Sequence, residues 1–430
     1  MKRRLAVIST HSSPLARAGT SKAGGMNVYI DELSRQLTTL GWDVDIYTRW
    51  DHPDLPDVIE IEPGMTVFHV KQGPPEPLSP IATADYIEDF SAGARDLAER
   101  HERRYDLVHS HYWISGLSGA TLAQRWNLPH ATMFHTLGAM KNHYGQTQPE
   151  PAVRIEGERR VAACADAIVC ATTHEERFLI EHYGADPARL RVVPCGIDLN
   201  LFGPAGRPSA QAILRQRAPQ LRVDDGPGIL FVGRLEPLKG ADLLVRALPS
   251  INHDLKPALW IVGGDERDQH ERERLRSLAQ EHGVGSQVRF LNAAPRSLLP
   301  DLYRAAAVCA MPSYYESFGL VAVEAMAVGT PVVATRVGGL ASTVSDGRTG
   351  LLVDARQPES FAAALERLLE DPTLRERMGT TAAVAMNRFA WPRVAEGILC
   401  IYDELLRTGS SRRSPCAEAE DPLLAGAVGR

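Results

Sequence analysis

The sequence has no CxxC pair among its six cysteines, Cys164, Cys170, Cys195, Cys309, Cys400 and Cys416. Zinc ribbons and redox motifs need paired thiols, so neither is indicated, and scattered thiols fit a reducing, cytoplasmic setting. No apolar run approaches the roughly 20 residues of a membrane span. The start, MKRRLAVIST, holds an apolar run of only four residues, too short for a signal peptide. Positive charge is not in excess: a formal net charge of −6 argues against general nucleic-acid binding. Two nucleotide motifs are missing too. Gly19 and Gly24 have Walker spacing, but Gly25-Met26 stands where Lys-Ser/Thr is required. Ala18 and Thr20 flank a lone Gly19 where a dinucleotide fold needs GxGxxG. Magnesium triphosphate and NAD both lose their main support.

What is present is a large apolar fraction, 44%, enough to bury the cores of two or three domains in 430 residues. Short β-rich runs (RLAVIST, DVDIYT, TVFHV, DLVHSH, HATMFH, AIVCAT, LRVVPCG) alternate with helical patterns up to residue 197. In the first helix Ile30, Leu33, Leu37 and Leu40 share one face, and Gly41 suits its end. Residues 198–228 are rich in Pro, Gly and polar residues and read as a linker with one short helix. Alternation restarts over 229–390 with GILFVG, ALWIVGG, VRFLN, AVCAMPS, PVVAT and TGLLVD. Residues 391–407 form an amphipathic final helix able to pack on either domain, and 408–430 read as a disordered tail. The expected fold is α/β: two doubly wound Rossmann-like domains facing a central cleft, with ligands at the carboxyl ends of the strands. Two such domains favour a two-part ligand or a donor and an acceptor.

Several stretches carry chemistry. Gly24 and Gly25 stand just before the first helix, where glycine admits close approach of a phosphate; a plain βα loop is the other reading. Arg234 and Lys239 follow the first strand of the second domain, as a fork and a mobile point charge suited to a diphosphate, or as solvated surface cations. In YESFGLVAVEAMAVG a helix is expected from about Phe318 to Val328, capped by Ser317 and ended by Gly329. Its first N–H groups would face an anion, while Glu316 and Glu324 could accept bonds from sugar hydroxyls. Taken alone, Glu324 is a partly exposed helix residue. His109 and His111 form an HxH that reads as core or cleft lining, and Asp43 and Asp45 a DxD inside the second strand, where the acids are expected to alternate faces. No metal is expected.

ESFGLVAVEAMAVGTPVVAT resembles the Glu-x7-Glu signature of retaining, nucleotide-sugar-dependent glycosyltransferases of the GT-B fold, in the group 1 family. GRLEPLKG, VGG before a charged helix, and TGLLVD match as well. HSSPLARAGTSKAGGMNVYI, HSHYWISGL, FHTLGAMKN and GADPARLRVVPCGIDLNLF are similar to a narrower subgroup, which contains the mycothiol-pathway inositol-phosphate N-acetylglucosaminyltransferase and sucrose-phosphate synthase. The resemblance covers nearly all of the chain but the tail. It implies that Gly24 and Gly25 meet the donor diphosphate, that Arg234 and Lys239 clamp it, and that Glu316 with the N–H groups of Phe318, Gly319 and Leu320 binds sugar and phosphates. It implies that Glu324 holds the ribose, that His135 sits near the anomeric carbon, and that Tyr112, Thr136 and Arg154 line the acceptor side. Two departures stand out. Pro80 replaces the phosphate-binding lysine of the inositol-phosphate branch, with Lys71 or Lys141 as candidates to compensate. Ala341 in VGGLAS replaces a glutamate common in the wider family.

The implied reaction is front-face transfer of a hexosyl unit from a nucleoside diphosphate, UDP above all, to a small hydroxyl acceptor, a phosphorylated polyol or sugar among the candidates. No cofactor beyond the donor co-substrate is required, and a homodimer is left open. A nucleotide-sugar epimerase or phosphorylase of the same fold, and a non-catalytic sugar-nucleotide sensor, are the rival readings.

Overall fold

The computed structural model describes residues 2–15, 24–144, 149–264, 268–354 and 357–408. The first sheet contains β1 (Arg4–Ile8), β2 (Asp43–Arg49), β3 (Val58–Glu62), β4 (Met65–Val70), β5 (Leu107–His111), β6 (His130–Met133), β7 (Ala167–Cys170) and β8 (Leu190–Val192). The second contains β9 (Gly228–Val232), β10 (Ala258–Val262), β11 (Val288–Leu291), β12 (Val308–Met311), β13 (Val332–Thr335) and β14 (Gly350–Val353). Their spatial orders are β3-β4-β2-β1-β5-β6-β7-β8 and β11-β10-β9-β12-β13-β14. Most strands are short apolar runs buried on both faces, as parallel strands covered by helices must be.

In each sheet the chain first builds outward on one side and then crosses to the other, so the order reverses between β1 and β5 and between β9 and β12. Such switch points leave a crevice at the carboxyl ends of the strands. The loops after β1, β5, β9 and β12 carry Gly25, Tyr112, Lys239 and Glu316, so topology alone gathers them at two facing crevices.

Three features depart from the sequence reading. β3, sequence VIEIE, runs antiparallel to β4 at the sheet edge, and its apolar–acidic alternation suits a strand with one solvated face. Asp43 and Asp45 do not alternate faces. Side chains two apart on a strand share a face, and both acids pair with Arg4 of β1, at 2.7 and 3.1 Å. Residues 198–228 are built into the second lobe. Their helix, Arg207–Arg217, packs on Leu299–Ala305, Leu214 and Leu221 are fully buried, and Arg304 donates to the Gly203 carbonyl at 2.7 Å.

The final helix, Trp391–Thr408, crosses back to the first sheet. The Tyr402 hydroxyl lies 2.6 Å from His109 Nδ1 of β5. The Trp391 ring lies on Gly196, where a Cβ would stand 2.3 Å from it. No helix among the described residues is long and apolar enough to cross a membrane. Of the tail expected over 408–430, Thr408 is instead the last residue of the final helix, and 409–430, like Ala18, Gly19 and Thr20, fall outside the described residues.

Candidate active site

The two lobes meet at the starts of two helices. The first, Gly25–Thr39, begins at an extended Gly24; the second, Leu320–Ala327, begins at Gly319. A Cβ on Gly25 would lie 2.8 Å from Leu320 Cδ1, so the helix starts are in contact only because residue 25 has no side chain. A helix leaves its first N–H groups without intrahelical partners, and together two converging starts make a place for an anion. Asn27 braces the first start: its Nδ2 donates to Ser12 Oγ at 2.8 Å and to the Ser13 carbonyl at 2.6 Å.

Gly319 has φ +89, and a Cβ there would stand 2.7 Å from Leu340 Cδ2. Glycine at this cap replaces the expected cap at Ser317, and the helix starts at Leu320 rather than Phe318. The cause is tertiary. The Gly339 N–H donates to the Glu316 carbonyl at 2.8 Å, and a Cβ on Gly339 would lie 2.3 Å from the Ser317 carbonyl oxygen. The Phe318 carbonyl accepts from Thr343 Oγ1 at 2.9 Å. Phe318 is thus part of a turn pressed onto the 338–343 loop, where Ala341 also sits.

Lys239 ends the single turn Pro237–Lys239, and its Nζ lies 2.6 Å from Glu316 Oε2. The two therefore share one spot rather than two, with the cation neutralised by the acid. Arg234 does not join them. Its side chain is 73% exposed and pairs with Glu236 at 2.8 Å.

Glu324 lies one helical turn beyond Leu320, on the same face. It keeps some accessible surface, but its carboxyl is packed about by protein and burial pushes it up to about 7. Tyr303 OH donates to it at 2.7 Å and Arg296 opposes the shift by its charge. Arg296 also bridges the lobes, 2.7 Å from Glu32 of the first helix. Glu32 follows Gly25 by two turns, so one face of that helix carries both contacts.

On the other wall, Tyr112 and His135 have φ of 78° and 61°, a region that side chains rarely occupy. Such backbone persists only where the surroundings impose it, and it clusters at functional sites. Here the turn at His135 is closed by the Thr136 N–H, which donates to the Phe134 carbonyl at 2.7 Å, and it is braced by Arg154. Its guanidinium is 3% exposed and lies 5.0 Å over the Tyr112 ring. It donates to the Thr136 carbonyl and to Thr136 Oγ1, both at 3.0 Å. It also pairs with Glu150 at 2.9 Å and with the fully buried Glu158 at 2.8 Å. Arg154 is thus engaged by protein groups on most of its fork. Burial pushes the Glu158 carboxyl up while Arg154 pulls it down. Arg154→Ala is therefore expected to destabilise the fold by about 3 kcal/mol, since it strands a buried acid. The loss should deepen as pH rises. Burial already holds the folded-state pKa of Glu158 above its unfolded value, and without Arg154 it climbs further, so more stability is lost on deprotonation. Thermal melts across pH check this; a deficit that shrinks with rising pH contradicts it.

Lys141 shares Glu150 with Arg154, at 2.9 Å. Lys71 pairs with Asp57 at 2.6 Å and lies 5.4 Å over the Trp50 ring. Pro80 opens the helix Pro80–Ala84 behind a Ser79 cap and supplies no charge. Neither lysine is a free replacement for the missing cation.

The structure thus brings Gly25, Leu320, Gly319, Glu316 and Lys239 together and joins Glu324 to them by one helical turn. It places Tyr112, His135, Thr136 and Arg154 on the opposite wall, linked through Tyr29, whose ring lies 5.2 Å from His135. Arg234 stays outside. Sequence reasoning missed Arg296, Glu32 and Glu150, whose roles depend on pairing between distant segments. Among the described residues no group of three or more His, Cys, Asp or Glu could hold a metal.

Comparison with known proteins bears on the family and the fold. Residues 213–384 match the family described as "Glycosyl transferases group 1", and residues 23–201 match "Glycosyltransferase Family 4". The chain is 44% identical over 426 residues to the D-inositol 3-phosphate glycosyltransferase of Acidothermus cellulolyticus, covering 96% of this chain and 93% of that one. It is 39% identical over 432 residues to the protein of the same name from Corynebacterium diphtheriae, covering 99% of each. Among solved structures it is similar to sucrose-phosphate synthase from Thermosynechococcus elongatus, with a TM-score of 0.85, 34% identity, and 95% and 100% coverage. HepE of Anabaena, solved with UDP and glucose, shares the fold at a TM-score of 0.73 and 19% identity, over 94% of this chain and all of that one.

Proposed function

The chain belongs to the group 1 glycosyltransferases, and from that premise we propose how its cleft moves a hexosyl unit from a nucleoside-diphosphate sugar to a phosphorylated polyol or sugar. The carrying observation is the contact chain Gly25–Leu320–Gly319–Glu316–Lys239 between two helix starts. It gathers backbone N–H groups and one cation where a diphosphate departs.

In this reading the donor's diphosphate lies between the helix starts, and Lys239 turns from Glu316 toward it. Glu316 then accepts bonds from the sugar hydroxyls, and Glu324 from the ribose. The anomeric carbon–oxygen bond breaks with its electron pair going to the diphosphate, where Lys239 and the N–H groups stabilise the charge. The acceptor hydroxyl attacks from the same face, its proton passes to the leaving diphosphate, and configuration is retained. Closure of the lobes excludes water and limits hydrolysis. Arg234, exposed in this structure, would reach the diphosphate only by reorienting.

UDP-linked sugars are the first donors to test, and D-inositol 3-phosphate, named for the relatives, the first acceptor. Its phosphate would draw Lys141 away from Glu150 beside Tyr112 and Thr136, in place of the lysine that Pro80 removes. A donor and acceptor panel read by mass spectrometry, with fructose 6-phosphate and unphosphorylated sugars included, tests this. A hexosylated phosphate ester supports it; recovery of only epimerised or hydrolysed donor overturns it.

Donor binding should also release a proton. Ribose hydroxyls donate to the charged form of Glu324, so binding lowers a pKa that burial holds at about 7. Donor affinity should therefore rise with pH, by up to about tenfold per unit, and level off above 7. Glu324→Gln should flatten this dependence. Calorimetry in two buffers of different ionisation enthalpy reads the proton directly; an unchanged release in the variant removes Glu324 from the ribose site.

A further inference from the structure

β5 presents two histidines, and strand geometry puts His109 and His111 on one face. His109 is accounted for by Tyr402 of the final helix. The His111 ring lies beside that of His109, 4.3 Å between centroids, and has a partner of its own: its Nδ1 lies 3.0 Å from His135 Nε2, and the residue is only 1% exposed. The Tyr29 ring stands edge-on to both imidazoles, at 5.8 and 5.2 Å, which leaves them little room to turn.

We propose that His111 is a positioning residue: it fixes the ring orientation and the tautomer of His135. This rests on the reading that His135 lies beside the anomeric carbon. Two neutral imidazoles joined by one hydrogen bond cannot both donate. Whichever nitrogen of the pair carries the shared proton, His111 Nδ1 decides whether His135 Nδ1, the nitrogen left over, is a donor or an acceptor. Neutrality is secured by burial, which pushes His135 down to about 3 and His111 well below its ordinary value.

A packing role and a positioning role make opposite predictions. His111→Leu fills the space but offers no polar atom; His111→Asn leaves a gap but keeps an amide where Nδ1 stood. If His111 positions His135, His111→Leu lowers kcat by roughly 10- to 100-fold, the scale of lost outer-shell orientation, with donor KM nearly unchanged. His111→Asn then recovers kcat to within a few-fold of wild type even though it melts at a lower temperature than His111→Leu. If kcat instead follows the melting temperature, or if both variants lose kcat equally, His111 is packing and the proposal is overturned. His135→Ala is measured alongside. Wild-type turnover there removes His135 from the site and His111 with it. A large loss in His135→Ala beside a normal His111→Leu defeats only the positioning role.

Discussion

Lys239→Ala is expected to lower kcat for hexosyl transfer by roughly 10²- to 10³-fold, the scale of losing one preorganised donor to developing negative charge. Little change in melting temperature should accompany it. Lys239 is held in place by its setting: Gly240 follows at φ +69, and a Cβ there would lie 2.4 Å from the Pro312 carbonyl oxygen. The turn that presents Lys239 is thereby locked onto the loop that presents Glu316. Its resting partnership with Glu316 is between side chains 23% and 15% exposed, a setting that contributes little to stability. The cation's value lies in the departing diphosphate, so its loss appears in turnover. Lys239→Arg should not rescue fully, because a planar fork cannot occupy the position of a point charge 2.6 Å from Glu316 without displacing it. Glu316→Ala should be comparably damaging, and the double variant should lose less than the sum, since each single change leaves its partner unneutralised. Steady-state kinetics with thermal melts decide it. Wild-type turnover in Lys239→Ala removes the residue from the site.

Both the Lys239 turn and the Glu316 loop were legible in the sequence because their signals are local. A strand, a short polar loop and a glycine-bounded apolar helix lie within one continuous stretch, and the doubly wound alternation places the loop ends at the crevice. What was not legible depends on pairing between distant residues. Nothing near Ser317 says that it will lose the cap to Gly319, because the Gly338–Gly339 loop decides that by pressing on the turn. Nothing in FHT or HYW announces a positive φ, because the contacts that brace those turns, Arg154 among them, come from other elements. The HxH did carry a signal, two histidines on one face, but its partners Tyr402 and His135 come from other elements. Arg234 shows the converse: a motif match places a cation in the right loop without saying where its guanidinium rests.

Gly25→Val should be as damaging as the loss of Lys239, by a different route. The first Cβ alone would stand 2.8 Å from Leu320 Cδ1, and two further methyls would hold the helix starts apart. A modest adjustment of the Leu320 side chain can admit alanine, so Gly25→Ala should cost only about tenfold in kcat/KM, while Gly25→Val should cost roughly 10³-fold. Stability should hardly change, because Gly25 is at the first position of a helix with ordinary backbone angles and no positive φ. The cause can be separated by a second substitution. If the injury is steric separation of the lobes, Leu320→Ala in the Gly25→Ala background restores the lost space and most of the activity. If instead the Cβ keeps the diphosphate from the backbone N–H groups, the double variant stays impaired and donor KM rises with it. Either result keeps the anion between the two helix starts. Full activity in Gly25→Val would mean that the lobes need not meet there and that the diphosphate lies elsewhere.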